Sequence, residues 1–401
     1  MSNDAPTILC IASYFKGERF LAEAAARGAK VSLLTLAKLL REPWPRAALQ
    51  DVFALHDSPK REDWIHTVSY LARSIAFDRI VALDDFDVET AAMLREHLRM
   101  PGMGDSTARN FRDKLAMRTT ARAAGIPVPE FTGLFHDDAV ARFCERVPGP
   151  WMHKPRSEAS AVGITKVESQ QALWDLLRAQ GDKRSFYLLE RFVSGDVFHV
   201  DSLVVDGRIA FAAAHQCGTP PFTVAHGGGI YTSFTLPEGS EDERALLALN
   251  ERLLPVLGLV RGSCHAEFIK SAQTGEFFFL EAGARVGGVH IAELIESTRG
   301  LNPWAAWAEL EVAGARGDSW KPTIGQRKHG ALVNTLAKTP SVDYAALGID
   351  GIAYEVKEKY HAGVVVLGDT YEEMGARRDA VVRKFASEIT AVLPAPPRAN
   401  H

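Results

Sequence analysis

At 401 residues the chain is too long for one small core, so two or three domains are expected. Hydrophobic residues at 46% and charged residues at 24% fit an ordinary globular protein, and a net charge of −4 with no Lys/Arg-dense run excludes a basic field for nucleic acid. Cys10, Cys144, Cys217 and Cys264 show no CxxC or Cys/His ligand spacing, which predicts free buried thiols in a reducing compartment rather than disulfides or zinc. The first element is TILCIAS, a buried-strand run. It is short, lacks a basic lead and reads as a strand rather than a signal peptide. No segment is apolar over a membrane's thickness, so a soluble cytoplasmic protein is expected.

RFLAEAAARG is helical with Gly28 as its stop, and KVSLLTL is the next strand. WIHTVSYLARSIAF (helix), DRIVALDD (strand) and VETAAMLREHL (helix) continue a βαβ rhythm, which predicts a parallel sheet over residues 1–112. Ligands of such sheets sit at the carboxyl ends of the strands, where Asp84, Asp85 and Asp87 fall. Capping of the following helix explains those acids equally well. No GxGxxG follows the first strand, so dinucleotide binding is not indicated. STARNFRDKLAMRTTARAAG reads as one helix ending at Gly125, with Pro127 and Pro129 beyond. The strands WMHKPR, GITKV and SFYLLERFV with the helix QQALWDLLRAQ suggest a small α+β unit over 113–195. FHVDSLVV and RIAFAAAHQ form a hairpin through Asp206-Gly207, a strong turn signal. A Gly/Pro-rich loop, the helix EDERALLALNERLLPVLG, an acidic hairpin and two helices complete 196–316. KHGALVNTLA, GIAYEVKEKY, HAGVVVLGDT and a charged helix fill 320–392, and 393–401 is a tail.

The acidic hairpin, SCHAEFIKSAQTGEFFFLEAGARVGG, is the most informative stretch. Glu267 and Glu281 are equidistant from Thr274, so a symmetric turn sets them face to face on one side of an antiparallel pair. Opposed like charges are destabilising, and a hard divalent cation such as magnesium or manganese between them resolves the conflict. Two solvated glutamates on an edge hairpin is the other reading. Arg285 and Gly287-Gly288 then lead into a helical pattern whose free N–H groups suit an anion. His265 shares a face with Glu267, either to orient a ligand or as a packed strand histidine. Arg299, at a helix end, suits an anionic substrate or the helix dipole.

Two further motifs are weaker alone. In MHKPRSEASAVGITKV, Lys154 closes a strand before a small-residue loop (Ser157, Ser160, Gly163) whose N–H groups can approach phosphate. In LLERFVSGDVFHVD, an apolar strand carries Glu190, then Phe192-Val193 and Gly195-Asp196, which suits an adenine slot or is simply a strand end. His226-Gly-Gly-Gly229 lacks a partner GxSxG elbow, so a hydrolase is excluded and a mobile loop over an acceptor site fits better.

Taken in order, these pieces resemble the ATP-grasp superfamily over residues 75–370. RNFRDKLAMRTTARAAGIPVPEF looks like its DK…GIPVP entry run, and KPRSEASAVGITKV resembles the phosphate lid of D-alanine–D-alanine ligase. ERFVSG is similar to the adenine hinge, and HAEF with LEAGARVGG to the metal arm. GVVVLGDTYEEMGAR looks like the small domain appended to carboxylate–amine ligases. The resemblance implies an N-terminal Rossmann-like α/β domain, a lid subdomain, a larger antiparallel metal/substrate subdomain and a C-terminal α+β domain. It implies ATP with Mg2+ (or Mn2+) as cofactors, Lys114 and Lys154 with Ser157, Ser160 and Gly163 on the phosphates, and Glu190 on the adenine amino group. Phe192 and Val193 would line the hinge, and Glu267 and Glu281 would hold metal. Arg285 would meet the transferred phosphate or the substrate carboxylate, with Lys154 beside it in catalysis.

Two positions depart from the pattern. Gly283 stands where an asparagine ligand is usual, and Val197 where a ribose-binding glutamate is, leaving Asp196 as its nearest substitute. The implied activity is ATP-dependent joining of a small carboxylic acid to an amine through an acylphosphate. A thiol or hydroxyl acceptor, a carboxylase and a nucleotide-binding module without turnover are the alternatives. An amino acid or peptide-like acid as substrate and a homodimer as assembly are family-level expectations; neither nucleic acid nor membrane is an expected partner.

Overall fold

The computed structural model describes residues 5–159, 162–219 and 229–391. Parallel strands β1 (Thr7–Ala12), β2 (Lys30–Leu36), β3 (Asp51–Leu55) and β4 (Arg79–Ala82) form a sheet of order β3-β2-β1-β4. Helices α1 (Glu18–Ala26), α2 (Arg61–Leu71) and α3 (Val88–His97) connect or flank it. The βαβ rhythm of the sequence is present, with β3 an addition. Its apolar run, residues 52–55, is short and none of it is fully buried, so it announces a strand only weakly.

The single helix expected before Gly125 is two. α4 (Asp105–Ala108) passes through a 3-10 turn and stops, and α5 (Lys114–Ala123) starts afresh because Asp113 accepts from the N–H groups of Leu115 (2.9 Å) and Ala116 (3.4 Å). The lid is an antiparallel sheet of β5 (Phe131–Gly133), β6 (Trp151–Pro155), β7 (Thr165–Val167) and β8 (Tyr187–Arg191), in the order β5-β8-β6-β7. Helices α6 (Asp137–Arg146) and α7 (Gln170–Gln180) cover it. Leu134, Val140, Phe143, Trp151, Leu173 and Leu189 belong to a core of its own, whereas Met117 and Ala121 of α5 join the cluster of the main body.

An eight-stranded antiparallel sheet organises the rest. Its strands are β9 (Gly195–Val205), β10 (Arg208–Cys217), β11 (Tyr231–Thr235), β12 (Gly262–Ser271), β13 (Phe277–Gly283), β14 (His329–Leu336), β15 (Ile352–Glu355) and β16 (His361–Gly368). Their order is β13-β12-β9-β10-β11-β14-β16-β15. The C-terminal strands thus extend the same sheet through β11, while α11 (Tyr371–Lys384) packs with them around a local cluster including Val364, Met374 and Val381. Helices α8 (Glu241–Leu257), α9 (Ile291–Arg299) and α10 (Pro303–Arg316) flank the sheet. Asp206 and Gly207 both take positive φ (50° and 74°), the backbone that a two-residue hairpin of this twist demands.

One cluster runs from Leu9 and Ile11 of the first sheet to Phe268 and Phe279 of the large one, so these two bodies share a core. All four cysteines are free and buried. Among the described residues no helix is long and apolar enough to cross a membrane.

Candidate functional site

The hairpin register places Glu267 directly opposite Glu281, on one face of the β12–β13 pair. It is not a simple symmetric ladder. Phe268 pairs with Phe279, so Leu280 is the extra residue of a bulge, and the register beyond it still brings the two glutamates together. Arg118 donates to the carbonyl of that bulged Leu280.

The predicted lysines reach the predicted acids. Lys114, first residue of α5, lies 2.7 Å from Glu281 Oε2 and donates to the carbonyl of Glu158 in the lid (2.6 Å). Burial would raise the Glu281 carboxyl, but Lys114 first, then Lys154 and Arg118, outweigh it and hold it at about 2. Lys154 on β6 pairs with Glu190 on β8, and Arg118, one turn after Lys114, closes on Glu190 Oε2 through Nη2 (2.9 Å) and Nε (3.1 Å). Glu190 is buried, which alone would push its carboxyl up; Arg118 and Lys154 bring it below the usual range instead. Arg118 is fully buried and was not singled out in the sequence. Its i+4 relation to Lys114 was the available signal, since both then share one face of the helix.

Behind Glu267 lies a buried polar chain. His265 Nε2 is 3.4 Å from Glu267, its Nδ1 meets Asp201 Oδ1 at 2.8 Å, Asp201 Oδ2 meets His199 Nδ1 at 2.7 Å, and His199 Nε2 meets Ser233 Oγ at 2.7 Å. Burial would lower His265, yet Asp201 and then Glu267 raise it to about 9. Asp201 is correspondingly held well below the carboxylate range. Gly287 makes room for this pair: a Cβ there would lie 2.7 Å from Asp201 Oδ1 and 3.1 Å from His265 Nδ1. His265 thus stands between Asp201 and Glu267.

Arg285 donates through Nε to Asp85 Oδ2 (3.2 Å) and through Nη1 to the Val286 carbonyl (3.0 Å). Burial disfavours its charge, but Asp85, then Glu267 and Glu281, more than compensate. Just beyond, Val289 and His290 take left-handed φ (53° and 62°) before α9, local strain of the kind that gathers at functional loops.

The remaining expected residues are scattered around this centre. Phe192 N–H donates to the Pro150 carbonyl (3.1 Å), and the Lys166 ammonium lies 4.7 Å from the centre of its ring. Val193 packs partly buried against Val197, Cys217 and Ile269. Asp196 is exposed, opposite Lys270 on β12. Ser157 is exposed and its carbonyl accepts from Arg112, while Gly163 takes φ 71° in the lid turn. Ser160 and His226 lie outside the described residues. Arg299 lies over the Phe211 ring (5.6 Å), at the end of α9.

No family model matches the chain. It is 25% identical over 242 residues to an L-arginine-specific L-amino acid ligase of Bacillus subtilis, covering 59% of this chain and 58% of that protein. It is 31% identical over 152 residues to the D-alanine–D-alanine ligase of Laribacter hongkongensis, covering 36% and 48%. The chain thus spans about half the length of these curated relatives. Among solved structures, an L-amino acid ligase from Bacillus licheniformis superposes with a TM-score of 0.73 at 17% identity, over 98% of this chain and 100% of that one. N5-carboxyaminoimidazole synthetase from Staphylococcus aureus, complexed with ADP, gives 0.72 at 14% identity over 96% and 98%. Its three-sheet architecture is the ATP-grasp fold of these solved structures, and the sequence relatives it resembles are amino-acid and D-alanine–D-alanine ligases.

Proposed function

We propose that the protein is an ATP-dependent carboxylate–amine ligase. The carrying observation is the in-register pair Glu267–Glu281 with Lys114 already on Glu281 and Lys154 on the neighbouring Glu190. A divalent cation fits the pair: its donors are hard oxygens on one face, and Glu281 already pairs with an ammonium at 2.7 Å, which supports a cation there. Bound between Glu267 and Glu281, magnesium or manganese would draw charge from the moving phosphoryl group. Lys114 and Lys154 would neutralise the phosphates, with Ser157 and Gly163 of the lid near them and Glu190, Phe192, Val193 and Asp196 beside the nucleoside. Arg285 would orient the carboxylate that attacks the γ-phosphorus.

The carboxylate oxygen bonds to that phosphorus and ADP leaves. The amine nitrogen then bonds to the acyl carbon, inorganic phosphate leaves and the amine gives up a proton. Because an acylphosphate hydrolyses, closure of the lid against water serves the reaction as much as positioning does. The relatives that carry this reading are amino-acid and D-alanine ligases, so an amino acid is the favoured acid.

The test is phosphate release across a matrix of amino acids, with mass detection of the product. Amine-dependent ADP formation is expected, and Lys154→Ala should lower it about 100-fold or more, the scale for losing one preorganised charge donor. ATP binding with no ADP from any pair would instead indicate a nucleotide-binding module.

A further inference from the structure

Three acids follow β4, and two are committed within the N-terminal body. Asp84 takes Lys16 (2.7 Å) and the N–H of Phe86 (3.1 Å), and Asp87 takes the N–H of Ser13 (2.7 Å). Asp85 turns the other way, across to the large sheet. Its Oδ2 accepts from Arg285 and lies 3.8 Å from Arg112, while its Oδ1 has no hydrogen-bond partner although the residue is only 7% exposed. A buried, unpartnered carboxylate oxygen calls for a ligand.

Its position says which ligand. A Cβ built on Gly283 would lie 2.8 Å from Asp85 Oδ1, so the oxygen stands where a side chain at 283 would begin. Residues 281 and 283 share a face of β13 by the two-residue period, and Gly283 pairs with His265 as Glu281 pairs with Glu267. The oxygen therefore stands over the face that carries both glutamates. Resting on the ligase reading above, we propose that Asp85 is a third carboxylate ligand of the divalent-cation site, supplied by the N-terminal domain in place of residue 283. The glycine is then a requirement of the site rather than a gap in it, because any larger residue meets the incoming carboxylate. Cation binding also ties the first sheet to the large one through Asp85.

The test is Mn2+ binding to the full chain with a non-hydrolysable ATP analogue, followed by electron paramagnetic resonance of the free ion. Asp85→Asn, nearly isosteric, should weaken Mn2+ at least 10-fold. Gly283→Asn alone should weaken it too, by collision with Asp85. The double variant Asp85→Ala/Gly283→Asn, which has room for the new amide, should return to within about 3-fold of wild type, and this separates ligation from a failure to fold. Wild-type Mn2+ affinity in Asp85→Asn overturns the proposal, and overturns it in favour of an amine anchor if the KM for the amine rises instead. Wild-type protein that takes up no Mn2+ with the analogue removes the cation site itself, a failure distinct from one confined to Asp85.

Discussion

Glu190 keeps its charge inside the protein because two cations reach it from different elements, Arg118 from α5 and Lys154 from β6. Removing one partner of a buried ion pair is costlier than never having built it. Arg118→Ala should therefore lower stability by about 3–5 kcal/mol, read as a shift in the urea midpoint, and Glu190→Gln added to it should recover part of the loss. His265 carries a different expectation. Its folded value of about 9 lies above the ordinary 6.5, so its contribution is complete below pH 6.5 and disappears as pH rises through 9. Unfolding free energy should fall across that window in wild type and stay flat for this component in His265→Gln; identical slopes would assign the alkaline loss elsewhere. Glu267 and Glu281 were legible because they lie equidistant from Thr274 in the turn, and Lys154 because it closes a strand before a small-residue loop, whereas Lys114 came only with the family resemblance. Arg118 left only its helix spacing from Lys114 as a trace, and Asp85 was one of three acids at a strand end; their pairing with Glu190 and Arg285 arises from tertiary contacts that no local pattern encodes.

At the scale of elements, two glycines that look alike in sequence differ in what holds them. Gly207 has φ 74° with nothing within 4 Å of a built Cβ, so Gly207→Ala meets only backbone strain, about 1–2 kcal/mol. At Gly195, where β9 begins beside the hinge, a Cβ would lie 1.8 Å from the Lys270 carbonyl. Gly195→Ala must part β9 from β12, so it should cost more than Gly207→Ala and also weaken nucleotide binding, which Gly207→Ala should leave unchanged. Paired urea titrations and fluorescent-nucleotide binding measure both. Most elements were readable from period and punctuation. The break between α4 and α5 was not, because the stop is an aspartate cap rather than a glycine or proline. α6 left a readable trace that went unused: Val140, Phe143, Cys144 and Val147 recur at i, i+3, i+4 and i+7 and are all buried.

For the whole molecule, the distribution of cores matters more than any one contact. The first and large sheets share a hydrophobic cluster, whereas the lid has its own and reaches α5 through Arg156–Asp113, Lys114–Glu158 and Arg118–Glu190. A ligand that bridges these bodies should stabilise them together. An ATP analogue with Mg2+ at 100 times its Kd should add about 2.7 kcal/mol, seen as a rise in melting temperature. Glu281→Gln should lose the Mg2+-dependent part of that rise. The continuation of the large sheet from β11 to β14 was beyond the reach of sequence, because nearly a hundred residues separate strands that hydrogen-bond side by side.

The four buried thiols give the molecule a built-in set of opening reporters. Cys10 sits in the first sheet, Cys144 in the lid, and Cys217 and Cys264 in the large sheet, and burial pushes each thiol up, away from the reactive thiolate. An alkylating reagent can modify each one only when its own surroundings come apart. The order in which the four acquire label under mild denaturant is therefore the order in which the bodies let go, with Cys144 timing the lid separately from the rest.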